Sequence, residues 1–306
     1  ATSPFFTDEW ERELVRAFPY ITFRHFIYRN THAVRLAQIG NRMTSVPFSD
    51  GGDVIALKET SLSLHSFRTD LIETFGKEVM VRIHDHAAPV STDMHPDLLD
   101  FRIPLQSFTL DSVRKTLRHI LEEDLPSGAE IRKAVHGDTE RIYELYLGTM
   151  HEAGGIALPR ETFASLMEQD VFVFVHSGKV EAVSVFFSDD KSAYHFISAS
   201  SETGKHKHGP HQLLFHAVRH YQQMEKTSLF LGGTNADSSL RTFKEGWRGD
   251  ECKIYTVSGS PASPEHPGGG GSAHEAARQS PLRSLWKLIP ARLLPKATKL
   301  VGKRVF

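Results

Sequence analysis

The order of apolar runs after residue 130 constrains this chain more than any other feature. Two segments of helical period come first: 138–151, with Ile142, Leu145, Tyr146 and Thr149 at helical spacing, and 161–168, preceded by Pro159. Three β-rich runs follow at 171–176, 180–187 and 193–198, the first two joined by a Ser177-Gly178 turn. Then come a helix over 211–223, a short strand over 228–231 that ends in Gly232-Gly233, and a strand over 253–257. Two helices, a strand meander, a helix, a strand, a helix and a strand make a mixed α/β layer structure. The first half reads as α/β too. An amphipathic helix over 8–18 places Trp10, Leu14, Val15 and Phe18 on one face. A strand is expected over 21–28, and 42–48 is apolar but broken by Pro47. Ser49-Asp50-Gly51-Gly52-Asp53 is a tight loop, followed by a helix over 61–75, a strand over 78–83 and a helix over 110–121.

The strongest boundary is 258–280, where Pro261, Pro264, Pro267 and four successive glycines from Gly268 to Gly271 read as a flexible linker. With 306 residues, two domains are expected before it, at about 150 residues per domain. The division is 1–125 for an N-terminal domain, 126–257 for a C-terminal one, 258–280 for the linker and 281–306 for a basic tail. The tail holds Arg283, Lys287, Arg292, Lys296, Lys299, Lys303 and Arg304 and no acidic residue. A net charge of −1 with a tail of +7 leaves −8 on residues 1–280. A general nucleic-acid binder would spread basic charge over the folded body, which this chain does not. The single cysteine excludes an intrachain disulfide framework and a cysteine-based zinc site, in keeping with a reducing, cytoplasmic compartment. There is no run of 18 apolar residues, so no spanning helix is expected.

Four blocks, in order, carry a resemblance to a known family. They are "SPFFTDEW" (Ser3 to Trp10), "MTSVPFSDGGDVI" (Met43 to Ile55), "IRKAVHG" (Ile131 to Gly137) and "FLGGTNADSSLRTFKEGW" (Phe230 to Trp247). Together they resemble the FemAB-like (Fem-type) aminoacyl- and acyltransferases, whose domains are GNAT-like, the acyl-CoA N-acyltransferase fold. The resemblance implies two tandem GNAT-like domains with a cleft between them. It also implies transfer of an aminoacyl or acyl group to an amine, as in peptidoglycan or exopolysaccharide precursors. The donor would be acyl-CoA or aminoacyl-tRNA, and no metal is expected. Two departures stand out: 30–40 is shorter than the family's hairpin there, and the long helical hairpin by which some Fem enzymes hold transfer RNA is missing.

Such chemistry needs an amine that loses a proton and donors for a tetrahedral oxyanion. Lys244, in the Phe-Lys pair with Phe243, is the leading catalytic candidate: a lysine on a loop after a strand can hold phosphate or developing negative charge. The alternative is a solvated lysine at the start of a helix. Tyr194 and His195 lie on a strand that faces the acyl group in GNAT folds, and either could shuttle a proton or be a hydrogen-bonded core residue. Alternation puts Tyr194 with Phe196 on one face and His195 with Ile197 on the other. For the donor's phosphates, the loop 205–211 offers Lys205, Lys207, Gly209 and His211 before a helix whose first turn suits Pro210, although the usual GNAT glycine spacing is not met. Gly233, with Gly232, permits a close ligand approach or a plain turn. Ser49, Asp50 and Arg132 are the acceptor-binding candidates.

Eighteen histidines invite a metal reading. His84 and His86 alternate as on a strand, His206, His208 and His211 cluster, and His216 and His220 sit four apart. No set gives three ligands at a familiar spacing. A metal-dependent hydrolase is thus the weakest reading. Cys252 reads as inert. The tail interleaves Trp286, Leu288, Ile289, Leu293, Leu294, Leu300, Val301, Val305 and Phe306 with its cations. It fits a peripheral contact with the anionic inner face of a membrane, a last helix packed on the body, or a disordered end. The reading is therefore an N-acyl- or aminoacyltransferase for a cell-envelope or surface-glycan precursor. The alternative is a non-catalytic envelope-assembly adaptor of the same fold docking through its tail.

Overall fold

The structure, a computed structural model, describes residues 8–46, 54–92, 94–155, 157–235, 238–261 and 288–298. Its elements run α1 (Asp8–Ala17), β1 (Ile21–Tyr28), β2 (His32–Ile39), β3 (Arg42–Thr44), β4 (Val54–Ala56), β5 (Leu62–Ser63), α2 (Leu64–Phe75), β6 (Glu78–His84), β7 (Val90–Ser91), β8 (Leu98–Pro104), α3 (Lys115–Glu122) and β9 (Ala129–Lys133). The second half continues with α4 (Thr139–Ala153), α5 (Arg160–Ser165), β10 (Asp170–His176), β11 (Lys179–Ser188), β12 (Ser192–Ser200), α6 (Glu202–His206), α7 (Gly209–Gln223), β13 (Ser228–Phe230), α8 (Ser239–Glu245) and β14 (Asp250–Gly259). The α/β expectation holds. Seven elements were not expected: the strands β2, β4, β5, β7, β8 and β9 and the single-turn helix α6.

Twelve strands form one sheet in the order β1-β2-β3-β6-β14-β8-β13-β12-β11-β10-β9, with β4 also on β2. Within it only β3 with β6 and β12 with β13 run parallel. The halves echo one another: an antiparallel run of strands, a crossover helix, a parallel strand, then a last strand. The last strands are exchanged. β14, which ends the second half, lies between β6 and β8 of the first, and β8 pairs with β13 of the second. Hydrogen bonding therefore continues across the 125/126 division.

Burial explains why β10 and β11 sit deep in the sheet. Val171 through Val175 are all buried, and so are Val180 through Phe187, as strands covered on both faces require. On one face α1, α4 and α5 bury Trp10, Leu14, Ile142, Tyr146 and Phe163 against Val173, Val183 and Ile197. On the other, α3 and α7 bury Leu117, Leu213 and Tyr221 against Phe101, Phe174 and Phe186. α2 extends that second layer over β6 and β14 through Phe67, Leu71, Val81 and Val257. Its ends are set locally: the Ser63 hydroxyl accepts from Ser66 N–H, and Gly76 closes the helix. Among the described residues no helix is long and apolar enough to cross a membrane.

Candidate functional site

Among the described residues the sheet splays where β12 and β13 part. β12 and β13 pair in parallel over Ser192–Tyr194 and Ser228–Phe230 only. Beyond that, β12 continues on β11 to Ser200 while the other chain leaves for β8. Leu231 N–H donates to the Phe101 carbonyl at 3.0 Å, and Thr234 and Leu99 exchange bonds of 2.7 and 2.9 Å. The result is a fork at the carboxyl ends of two parallel strands, where ligands collect in open α/β sheets.

A β-bulge shapes the fork. Opposite Val185 stands Ile197 and opposite Phe186 stands His195, so Phe196 is the extra residue. This corrects the simple alternation: Ile197 rejoins Tyr194 in the core under α4, and His195 remains on the other face. The His195 ring stacks on Phe186, 4.7 Å between centroids and 20° between planes. Its Nε2 is shut from solvent without a hydrogen-bond partner, and the ring's bond to the backbone of Ile197 leaves Nε2 as the lone-pair nitrogen. Burial and, next, the Lys244 charge push its pKa down to about 3, against the pull of the Ile197 bond. His195 is thus a neutral acceptor at physiological pH.

Lys244 is neither on a loop nor at a helix start. It lies in the last turn of α8, whose N-cap Ser238 accepts from Arg241 N–H, and it is buried, 4% exposed. Its Nζ donates to the carbonyls of Gly232 at 2.5 Å and Gly233 at 3.3 Å. Gly232 has φ +81°, a conformation open to glycine, and this brings both carbonyls within reach of the ammonium. The charge is therefore fixed at the fork's mouth. Phe243 beside it packs on the α3–α7 core and meets the His211 ring at 4.7 Å.

Tyr194 faces the opposite side, buried and stacked on Phe230 at 6.2 Å. Phe230 also meets the rings of His84 at 5.7 Å and His86 at 4.8 Å. His84 Nε2 lies 3.1 Å from Asp100 Oδ2, a carboxylate with no exposed surface, and its Nδ1 accepts from His86 N–H at 3.3 Å. Sequence reasoning missed Asp100 because it missed β8. The alternation of Leu99, Phe101 and Ile103 with Asp100 and Arg102 was the available signal. Cys252, opposite Asp100, is buried with its thiol pushed up to about 12 by burial, which leaves it unreactive.

The segment 205–211 is mostly helix rather than loop. Lys205 is on α6, ion-paired with Glu202 at 2.7 Å and Glu152 at 3.5 Å, which hold its ammonium above the usual range. Lys207 is exposed at the α6 terminus, and His208 enters α7 with φ +57°. Gly209 is a packing glycine: a Cβ there would stand 3.1 Å from Ala182 Cβ and 3.2 Å from Phe174. Its neighbour Gly204 lies closer still to the chain, since a Cβ would meet the Glu181 carbonyl at 2.2 Å. His211 is half-buried, its pKa pushed down to about 4 by burial. Arg132 is not brought to the fork. It sits on β9, the last strand of the sheet, with its guanidinium bidentate on Asp138 at 2.7 and 3.0 Å. Ser49 and Asp50 fall outside the described residues. Among the described residues no three His, Cys, Asp or Glu side chains converge as metal ligands.

No family model matches the sequence, and no curated protein matches it. Solved structures do match. The C-terminal domain of a putative lysylphosphatidylglycerol synthetase from Agrobacterium fabrum aligns at 14% identity and TM-score 0.59, over 86% of this chain and 90% of that one. FemX aligns at 11% identity and TM-score 0.55, over 82% and 91%. L-PGS from Bacillus licheniformis aligns at 13% identity and TM-score 0.53, over 96% and 98%. At such identities the likeness is one of architecture alone: this chain shares the α/β fold of FemX and of the lysylphosphatidylglycerol synthetase domain.

Proposed function

We propose that the protein is an N-acyl- or aminoacyltransferase that moves an acyl group onto an amine of a cell-envelope or surface-glycan precursor. One observation carries the reading: the fork between β12 and β13 holds a neutral, unpartnered His195 Nε2 under the influence of a fixed Lys244 charge. The fold shared with FemX and with lysylphosphatidylglycerol synthetase supports it. The donor, acyl-CoA or aminoacyl-tRNA, would lay its carbonyl in the fork. The acceptor amine attacks; the C–N bond forms and the C–S or C–O bond breaks. His195 Nε2, kept neutral, accepts a hydrogen bond from the amine N–H and aims the nitrogen at the carbonyl, and the proton that nitrogen loses leaves with the sulfur or oxygen. Lys244, held in place by its bonds to the two glycine carbonyls, stabilises the oxyanion through its charge. Tyr194 forms the floor beside Phe230.

The donor's anionic part would run past Lys207 and the entry to α7, with Lys205 at the rim. Ser49 and Asp50 remain the candidates for acceptor binding. On this reading the chemistry belongs to 126–257 and the protein works on the cytoplasmic side of the envelope. Calorimetric titration with acetyl-CoA, coenzyme A and a stable amide-linked aminoacyl-tRNA analogue tests the reading. One of them binds at micromolar Kd, and His195→Phe weakens the tight binder. If none binds, the transferase reading fails, and a non-catalytic adaptor of the same fold replaces it.

A further inference from the structure

The strongest charge on the molecule lies outside the fork. Residues 281–306 carry seven cations and no acidic residue, against −8 on the rest of the chain. The described stretch, 288–298, is partly buried and partly exposed. Leu294 is fully buried in the core under α4, with Ile289 and Ala291 packed beside it, and Thr298 is buried as well. Exposed in the same stretch are Leu288, 77%, and Leu293, 42%. Arg292 and Lys296 are exposed as well.

We propose that these exposed residues dock on an anionic lipid surface. Leu294 fixes the segment to the body. Leu288 and Leu293 enter the acyl boundary while Arg292 and Lys296 meet the headgroup phosphates. A nucleic acid would use the cations but gives two exposed leucines nothing to bury against. The negative body is repelled by the same surface, so the tail also orients the molecule on it. The proposal does not depend on the reaction assigned to the fork.

Co-sedimentation of the full chain with vesicles tests it. Vesicles of phosphatidylcholine with about one-third phosphatidylglycerol capture the protein, and pure phosphatidylcholine vesicles do not. Replacing Arg292→Ser with Lys296→Ser weakens capture about thirtyfold, the factor that follows from roughly 1 kcal/mol per cation. Leu288→Ser with Leu293→Ser weakens it as well, with an unchanged circular dichroism spectrum showing that the body is intact. Three results overturn the proposal: equal capture by neutral vesicles, indifference to the leucine pair, or capture of transfer RNA but not of anionic vesicles.

Discussion

The two halves each contain a pair of parallel strands that begin in register for three residues, and the pairs end differently. In the first half, β3 and β6 are followed by Ser45, which closes the gap. Its N–H donates to the Met80 carbonyl at 3.2 Å, and its hydroxyl accepts from Arg82 N–H at 2.8 Å and donates to the Arg82 carbonyl at 3.3 Å. In the second half, β12 and β13 part after Tyr194 and Phe230, and the departing chain satisfies itself on β8. One fork is stitched and the other is open. The same topology thus serves as scaffold in one place and, in the other, sets a histidine and a buried lysine beside the parting strands. That contrast, more than any single residue, is what supports placing the proposed chemistry at the open fork.

Separating the halves breaks the comparison most completely. Because β14 and β8 are exchanged, a fragment 1–125 loses the strand between β6 and β8, and a fragment 126–261 loses one of the two partners of β13 and both partners of β14. Each alone is expected to lack a cooperative thermal transition in circular dichroism, and co-expression of the two to restore one. A fragment that melts cooperatively by itself would show that the exchange is dispensable.

The next largest effect separates the forks by function. His195→Phe is expected to lower turnover by about 10²-fold, the scale of a lost positioning contact. Ser45→Ala removes hydroxyl bonds of about 1 kcal/mol each while leaving turnover within about threefold. Steady-state kinetics and urea midpoints of the two variants report this directly. Equal loss of turnover in both would erase the distinction.

Lys244→Met leaves two carbonyls without their donor and is expected to cost about 1–3 kcal/mol in chemical denaturation. It also removes a charge that holds down the His195 pKa, so the histidine should titrate higher by nitrogen NMR. An unmoved His195 would mean that Lys244 acts on structure only.

The acid side follows from the same group. The folded-state pKa of His195 lies below its unfolded value, so the unfolded chain binds a proton that the folded one refuses. Stability from this site is full above the unfolded pKa near 6.5 and declines as pH falls toward about 3. The slope is at most about 1.4 kcal/mol per pH unit. Melting of His195→Gln should show a shallower acid slope than the wild type, and parallel slopes would place the acid sensitivity elsewhere. The smallest effect concerns the rim: Lys207→Ala is expected to weaken donor binding about two- to fivefold, an effect that salt screens, as befits an exposed cation. A loss comparable to that of His195→Phe would move the site from the fork to the α6–α7 turn.

Much of this was legible in the sequence, and the exceptions have physical causes. The meander 171–198 and the helix before Met224 announce themselves because the deep strands are mostly apolar, interrupted only by Glu181 and Ser184, and α7 has a clear apolar stripe. β8 was missed because Asp100 and Arg102 break its apolar run, and both are polar for a tertiary reason, the contacts with His84 and Asp250. Lys205 and Lys244 look alike as residue types, yet one is ion-paired in solvent and the other buried on two carbonyls, a difference made by packing over long sequence separations. The bulge at Phe196 leaves no mark in composition, so the face occupied by Ile197 could not be read. Arg132 lies in a block that resembles the family, but Asp138, the first residue after that block, claims its guanidinium.

The most direct test follows the His195 side-chain nitrogens by NMR while acetyl-CoA and then the aminoacyl-tRNA analogue are titrated into the full chain. The account predicts that the tight-binding donor shifts the Nε2 resonance of His195 and leaves that of His84, paired with Asp100, in place. Donor binding that leaves His195 unmoved would contradict the assignment of the open fork as the reacting site.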